Sequence, residues 1–279
     1  MPQEPADERW SPEADRAWSG QAGAEAFAAV EAATDWLLGY PFVFRAIARG
    51  SGRGSGPGGV LLDFGCGPGR VAEHAARALE MRIIGVDASP EMLALARERG
   101  TPGAEYHLVA QGRVSGLADA CADAAMCNHV LASLSDERTI LEVFTEIHRL
   151  LRPGAPFALL TTDPSCAGIE YASLRVGEPG ADYGPSDPLS VRLRRTDGTW
   201  QTVRNHAWPV GVLPPLLERA GFTGVAQHRP TPDEAAGVAD PDHVRGRAWT
   251  AERARPPLVV TTAVKRADSH RERVAEPCG

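Results

Sequence analysis

Three glycines at alternating positions, Gly65, Gly67 and Gly69, follow an apolar run in "VLLDFGCGPGR", residues 60–70. Glycine occupies positive φ without a Cβ clash, so such a stretch lets backbone amides approach a ligand closely. Asp87 ends the next apolar run, "RIIGVD", 18 residues beyond Gly69. A carboxylate there can take both hydroxyls of a ribose. The order is G-x-G-x-G, and Arg70 stands where a dinucleotide fingerprint needs its third glycine. A diphosphate ligand is therefore disfavoured. Asp63, just before the loop, points the same way, because a carboxylate repels phosphate and suits an ammonium. The chemistry this predicts is capture of a phosphate-free nucleoside that carries an amino-acid end. No HExxH, paired-histidine or acidic motif at metal-ligand spacing is present, so no metal is expected.

A loop of this kind needs a parallel sheet to carry it. Strands are predicted over Val60–Phe64, Arg82–Val86, Ala104–Val109, Ala124–Val130 and Phe157–Thr162. Helices alternate with them over Arg70–Leu79, from Ser89 to Arg99 and over Asp136–Leu151. Ser89 and Pro90 form an N-cap followed by proline at the first helical position. The rhythm predicts an α/β fold, doubly wound, with a mostly parallel seven-stranded sheet and helices on both faces. Residues 22–49 read as a helical lid split in two at Pro41, and "GSGRGSGPGG" as a linker. Residues 163–208 are an insertion with a β-hairpin, "LSVRLRR" and "WQTVRNHAW" around an Asp-Gly turn. A helix is expected over 212–220, a strand at "GFTGVAQH", a loop over 229–256 and an antiparallel last strand at "PPLVVTTAVK". These make a single domain over 22–266, with its ligand-binding core at 60–162. Residues 1–21 read as a mobile arm and 267–279 as a polar tail.

The chain has 279 residues, 43% of them hydrophobic, and a net charge of -7. That is ample for a core. The charge lacks the basic stripe of a nucleic-acid binder, so no nucleic acid is expected as partner. Five cysteines, none at C-x-x-C spacing, suit a reducing compartment and a cytoplasmic location. No apolar run reaches the ~18 residues of a membrane span, so no membrane association is expected.

At "LLDFGCGPG" and "VDAS" the chain resembles the class I S-adenosylmethionine-dependent methyltransferases. The resemblance continues through "AQGRVSGLADACADAAMCNHVLASL" and "EIHRLLRPGAPFAL" and returns at "LERAGFTGV". It implies S-adenosyl-L-methionine as cofactor and S-adenosyl-L-homocysteine as product. It implies Asp63, Gly65, Cys66 and Gly67 around the methionine part, Asp87 and Ala88 at the ribose, and Gln111 and Gly112 near adenine. Met92 is expected against the adenine face or in the core of its helix. Asn128 is expected at the methionine ammonium. Tyr40 and Trp36 offer aromatic faces that suit a sulfonium, or simply a helix packing stripe. Gln111-Gly112 stands where the family carries an acid-Ala pair; glutamine keeps a carbonyl to accept from an amino group.

The expected activity is methyl transfer to a nitrogen or oxygen of a small molecule in bacterial specialised metabolism, by a monomer or homodimer. Positioning is the main catalytic effect. His129 and His206 are candidate general bases. Asp163, Tyr171, Tyr183 and Trp208 are further acceptor-side candidates, each also readable as loop packing. Two alternatives stand beside this: a non-catalytic binder of the same nucleoside, and a nicotinamide oxidoreductase, which the missing third glycine disfavours.

Overall fold

The computed structural model describes residues 20–50, 56–110 and 112–267. The expected arm lies outside the described residues up to position 19, as does the expected tail from 268, together with Gln111.

Three helices open the described chain: α1 (Gly20–Ala28), α2 (Ala33–Leu38) and α3 (Tyr40–Arg49). Strands and helices then alternate as β1 (Val60–Phe64), α4 (Arg70–Leu79), β2 (Arg82–Asp87), α5 (Pro90–Glu98), β3 (Ala104–Ala110) and β4 (Arg113–Val114). After them come β5 (Ala124–Asn128), α6 (Glu137–Leu150) and β6 (Pro156–Thr162). The insertion supplies β7 (Leu174–Val176), β8 (Pro188–Arg194) and β9 (Trp200–His206). The chain closes with α7 (Leu213–Arg219), β10 (Phe222–His228), α8 (Pro232–Ala235), α9 (Pro241–Val244), α10 (Thr250–Ala254) and β11 (Leu258–Lys265).

The main sheet runs β10-β11-β6-β5-β1-β2-β3-β4. β1 pairs in parallel with both β2 and β5, and β11 pairs antiparallel to β6 and β10. The sheet has eight strands rather than seven. The eighth is β4, two residues folded back on Val109 and Ala110 through Gly112 at φ 73°; a strand that short has no periodicity to read. Strand alternation splits the core into two layers. Leu61, Ile83, Met126 and Leu160 pack under α2, α3 and α4, whereas Leu62, Phe64, Cys127 and Leu159 pack under α6 and α7.

The N-terminal segment forms three helices where two were expected. The added break lies at residues 29–32, where Ala32 takes a left-handed φ of 55°. The second break falls at Gly39, with Pro41 seated in the first turn of α3. A Cβ at Gly39 would lie 2.7 Å from Leu160 Cδ2, so only glycine lets the chain pass this close to β6. α3 buries Phe42, Val43, Phe44 and Ile47 in the core layer, which leaves α1 and α2 as the elements that cover the loop edge.

The hairpin is present and β7 joins it as a separate three-stranded antiparallel sheet. Residues 229–256 hold three short helices rather than loop alone. Thr231 caps the first by a capping box with Glu234, and Asp240 caps the second. Helices of four or five residues bury too little to leave a periodic pattern. No helix among the described residues is long and apolar enough to cross a membrane.

Candidate cofactor and acceptor site

Strand order reverses beside β1, whose neighbours β2 and β5 lead to opposite halves of the sheet. Ligands of doubly wound sheets bind at that crevice, at the carboxyl ends of the strands. The glycine elbow sits there. Gly65, Gly67 and Gly69 have φ of 80°, 51° and 76°, so the flexibility read from the sequence is used at all three. The amides of Gly65 and Cys66 donate to Val86 O at 2.7 and 3.0 Å. A Cβ at Gly65 would stand 2.1 Å from Val130 Cγ2, and one at Gly67 3.4 Å from the Phe27 ring. The elbow is thus a bare-backbone surface with α1 lying against it.

Asp87 closes β2 and braces the elbow. Its Oδ2 accepts from Gly67 N at 2.8 Å and its Oδ1 from Ser89 N at 2.9 Å. A carboxylate has about four lone-pair sites, so two remain for hydroxyl donors. Burial raises its carboxyl above the usual range, and the backbone amides of Ser89 and Gly67 pull it back. Ala88 is exposed beside it, and Met92 is buried on α5, its amide donating to the Ser89 cap.

Asp63 is buried, and its Oδ2 has no hydrogen-bond partner. Burial, and then the Asp87 charge, push its carboxyl up to about 8. Asn128, at the end of β5, has both Nδ2 and Oδ1 buried without a partner. Leaving such groups unpaired costs about 1–3 kcal/mol each. Two orphaned side chains at the ends of adjacent strands fit a ligand with its own ammonium and carboxylate, which is the amino-acid end of S-adenosylmethionine. Cys66 adds no nucleophile: burial, with Asp63 second, holds its thiol well above the ordinary range. Gly112 lies half-buried at the β3–β4 turn.

Tyr40 is buried, and burial followed by the Asp35 charge pushes its phenol upward. It packs edge-on to Trp36 at 4.8 Å and toward His129 at 6.5 Å. Trp36 instead spends its ring on His243, stacked at 5.1 Å, and on His74 at 4.5 Å.

His129 follows Asn128 with a left-handed φ of 59°. Its Nε2 lies 2.7 Å from Asp35 Oδ1 on α2. His206 ends β9 and its Nδ1 lies 3.2 Å from Ser186 O. The other acceptor-side candidates are held by structural bonds. Asp163 accepts from Ser165 N and pairs with Arg229; Tyr171 donates to Arg255 O. Tyr183 accepts from Glu178 N, and Trp208 donates to Leu134 O. Sequence reasoning missed Asp35, Phe27 and Arg70. Arg70 donates to the carbonyls of Val30 and Glu31 between α1 and α2. Among the described residues no group of three or more metal-ligating side chains gathers.

This sheet and elbow define a class I methyltransferase. A family profile described as "Methyltransferase domain" matches residues 62–159. The chain belongs to the S-adenosylmethionine-dependent methyltransferases, and S-adenosylmethionine is its cofactor. It is 36% identical to the N-demethylindolmycin N-methyltransferase of Streptomyces griseus over 218 residues, covering 77% of this chain and 91% of that protein. It is 30% identical to a trans-aconitate 2-methyltransferase of Methylobacterium radiotolerans over 170 residues, 53% of this chain and 62% of that one. In fold it is similar to an S-adenosylmethionine-dependent methyltransferase from Mesorhizobium loti, with a TM-score of 0.54, 24% identity, and coverage of 83% and 97%. The CcbJ methyltransferase of Streptomyces caelestis gives a TM-score of 0.54 at 19% identity, covering 84% of this chain and 95% of that one.

Proposed function

We propose that this chain methylates a nitrogen of a small molecule in bacterial specialised metabolism. The observation that carries this reading is the 36% identity with a small-molecule N-methyltransferase, extending over 91% of that protein. When bound, S-adenosylmethionine supplies a methyl group whose carbon–sulfur pair stays with sulfur as a neutral thioether. Little charge then develops for the protein to stabilise, and its task is to hold, align and keep dry.

The residues divide that task. Asp87 takes the ribose hydroxyls on the lone pairs that Gly67 and Ser89 leave free. Asp63 and Asn128 satisfy their orphaned atoms on the amino-acid end, beside the side-chain-free backbone of the elbow. Met92 and Gly112 border the base, and the Tyr40 ring faces the sulfonium side. α1 and α2 exclude water. His129 stands just past the end of β5 as one candidate base, and His206 borders the acceptor side from β9.

The test is turnover with S-adenosylmethionine and a panel of primary and secondary amines, phenols and carboxylic acids, read by mass spectrometry with fragment assignment of the methylated atom. Nitrogen-methylated product is expected. Product methylated only on oxygen or carbon overturns the nitrogen reading. Thermal stabilisation by the cofactor with no product from any member overturns the proposed substrate class.

A further inference from the structure

His129 and Asp35 come from opposite sides of the site. His129 directly follows the last residue of β5, whereas Asp35 sits on α2, on the covering segment. The histidine backbone takes a left-handed φ of 59°, a conformation that costs a non-glycine residue about 1–3 kcal/mol and recurs at functional sites. Its amide is anchored to Leu160 O at 3.0 Å. That backbone turns the ring toward α2, where Nε2 meets Asp35 Oδ1 at 2.7 Å. The Asp35 side chain is 10% exposed and the His129 side chain 31%, so the bond is shielded while part of the ring reaches open space. Among the described residues this is the ring's sole hydrogen bond.

A carboxylate accepts only, so Nε2 must carry the proton in this bond, and the tautomer is fixed. Nδ1 is then left with its lone pair and without a protein partner. A histidine held by a carboxylate on one nitrogen and free on the other is arranged to accept a proton and to have the resulting charge neutralised.

Resting on the nitrogen-methylation reading, we propose that Asp35 positions His129 to take a proton from the acceptor nitrogen, so that the substrate class is an N–H compound that must shed a proton to be methylated. In this step the N–H bond breaks with its electron pair remaining on nitrogen. The proton bonds to Nδ1 through the imidazole lone pair, and the imidazolium so formed faces the Asp35 carboxylate. His129 is the catalytic residue and Asp35 the positioning residue. The covering segment therefore supplies half of the base as well as excluding water: the dyad exists only where α2 lies against the end of β5.

Two measurements test this. Imidazole ¹H–¹⁵N spectra of the protein without cofactor are expected to show a far-downfield Nε2 proton that disappears in Asp35→Asn. Kinetics with the panel amine that is turned over are expected to show kcat lowered about 10- to 100-fold by Asp35→Asn, with cofactor Kd by calorimetry unchanged. His129→Asn, whose side chain tolerates the left-handed backbone, is expected to lose at least as much. The double variant is expected to be no worse than His129→Asn alone, the signature of residues acting as a unit. A missing downfield proton in the native protein overturns the dyad even if a variant fails to fold. So does an Asp35→Asn variant with native kcat, or one whose loss adds in full to that of His129→Asn. Methylation confined to oxygen or carbon refutes the nitrogen reading separately, and the spectrum still decides whether the dyad is present.

Discussion

Two carboxylates, the buried Asp63 and the half-buried Asp87, lie within electrostatic reach of one another at the ends of β1 and β2. Their environments set them apart. Asp87 is braced by the Gly67 and Ser89 amides, whereas Asp63 has an oxygen with no partner. Burial raises the Asp63 carboxyl from 3.8 to about 8. In the unfolded chain Asp63 ionises near 4, while the folded cofactor-free protein holds the proton until about 8. Between those values the folded state binds more protons, so this residue's contribution to stability is complete below pH about 4 and is lost as pH rises through about 8. Asp63→Asn, neutral at every pH, removes that slope. The melting temperature of the variant is expected to gain on the native protein steadily across the window, measured by paired thermal melts; parallel profiles would place the proton elsewhere. Asp87→Ala is expected to weaken cofactor binding by about 1.5–3 kcal/mol, the scale of hydrogen bonds to a charged group. Unchanged affinity in calorimetry would remove Asp87 from the ribose. Because the elbow loses its brace, the variant should also melt earlier.

Among the elements, the elbow converts sheet geometry into a binding surface, and its first glycine carries the sharpest steric demand. Gly65 has φ 80° and a Cβ there would fall 2.1 Å from Val130 Cγ2. Gly65→Ala is expected to cost about 1–3 kcal/mol from the backbone alone, and more from the displacement of the 3-10 turn Val130–Ser133. A melting temperature within error of native would show that the elbow can relax away from that turn. This element was readable from sequence because its cause is local: an apolar strand, three spaced glycines, a capped helix and an acid at the end of the next strand. The same holds for β1, α4, α5 and the hairpin. What escaped had no local cause. β4 is two residues long, and the break at Gly39 answers to Leu160, 121 positions away, rather than to Pro41. Asp35 and His129 are 94 residues apart, and an acid in the first turn of a short helix has an ordinary explanation in the helix dipole. The residues named for the acceptor side were chosen by type within a loop-rich stretch. Type does not distinguish a tyrosine that binds substrate from one, like Tyr171, that donates to Arg255 O.

Over the whole molecule, sets of hydrogen bonds tie the covering helices to the insertion, to Glu252 and to Arg70. The insertion holds them through Glu31 N to Arg194 O at 2.8 Å and Thr196 N to Ala29 O at 2.9 Å. A buried network holds them next: Thr34 N donates to Ser173 Oγ, and Glu252 Oε1 accepts from Thr34 Oγ1 and Ala172 N. The third tie is Arg70, one residue beyond the elbow, which donates to Val30 O at 2.9 Å and Glu31 O at 3.4 Å. The first two fix the segment to the scaffold. The third joins it to the residue that follows the glycine elbow. Arg70→Ala should therefore leave the fold standing, because the insertion and Glu252 still hold α2, and the melting temperature should move little. The segment from Gly20 to Leu38 should nonetheless exchange its amide hydrogens faster, while β1, β5 and β6 keep their protection. Cofactor affinity should fall about tenfold, the equivalent of about 1.4 kcal/mol, through loss of cover rather than of contact. Faster exchange throughout the sheet would make Arg70 a general stabiliser, and unchanged exchange in α1 and α2 would show that the insertion and the Glu252 network seat them without Arg70.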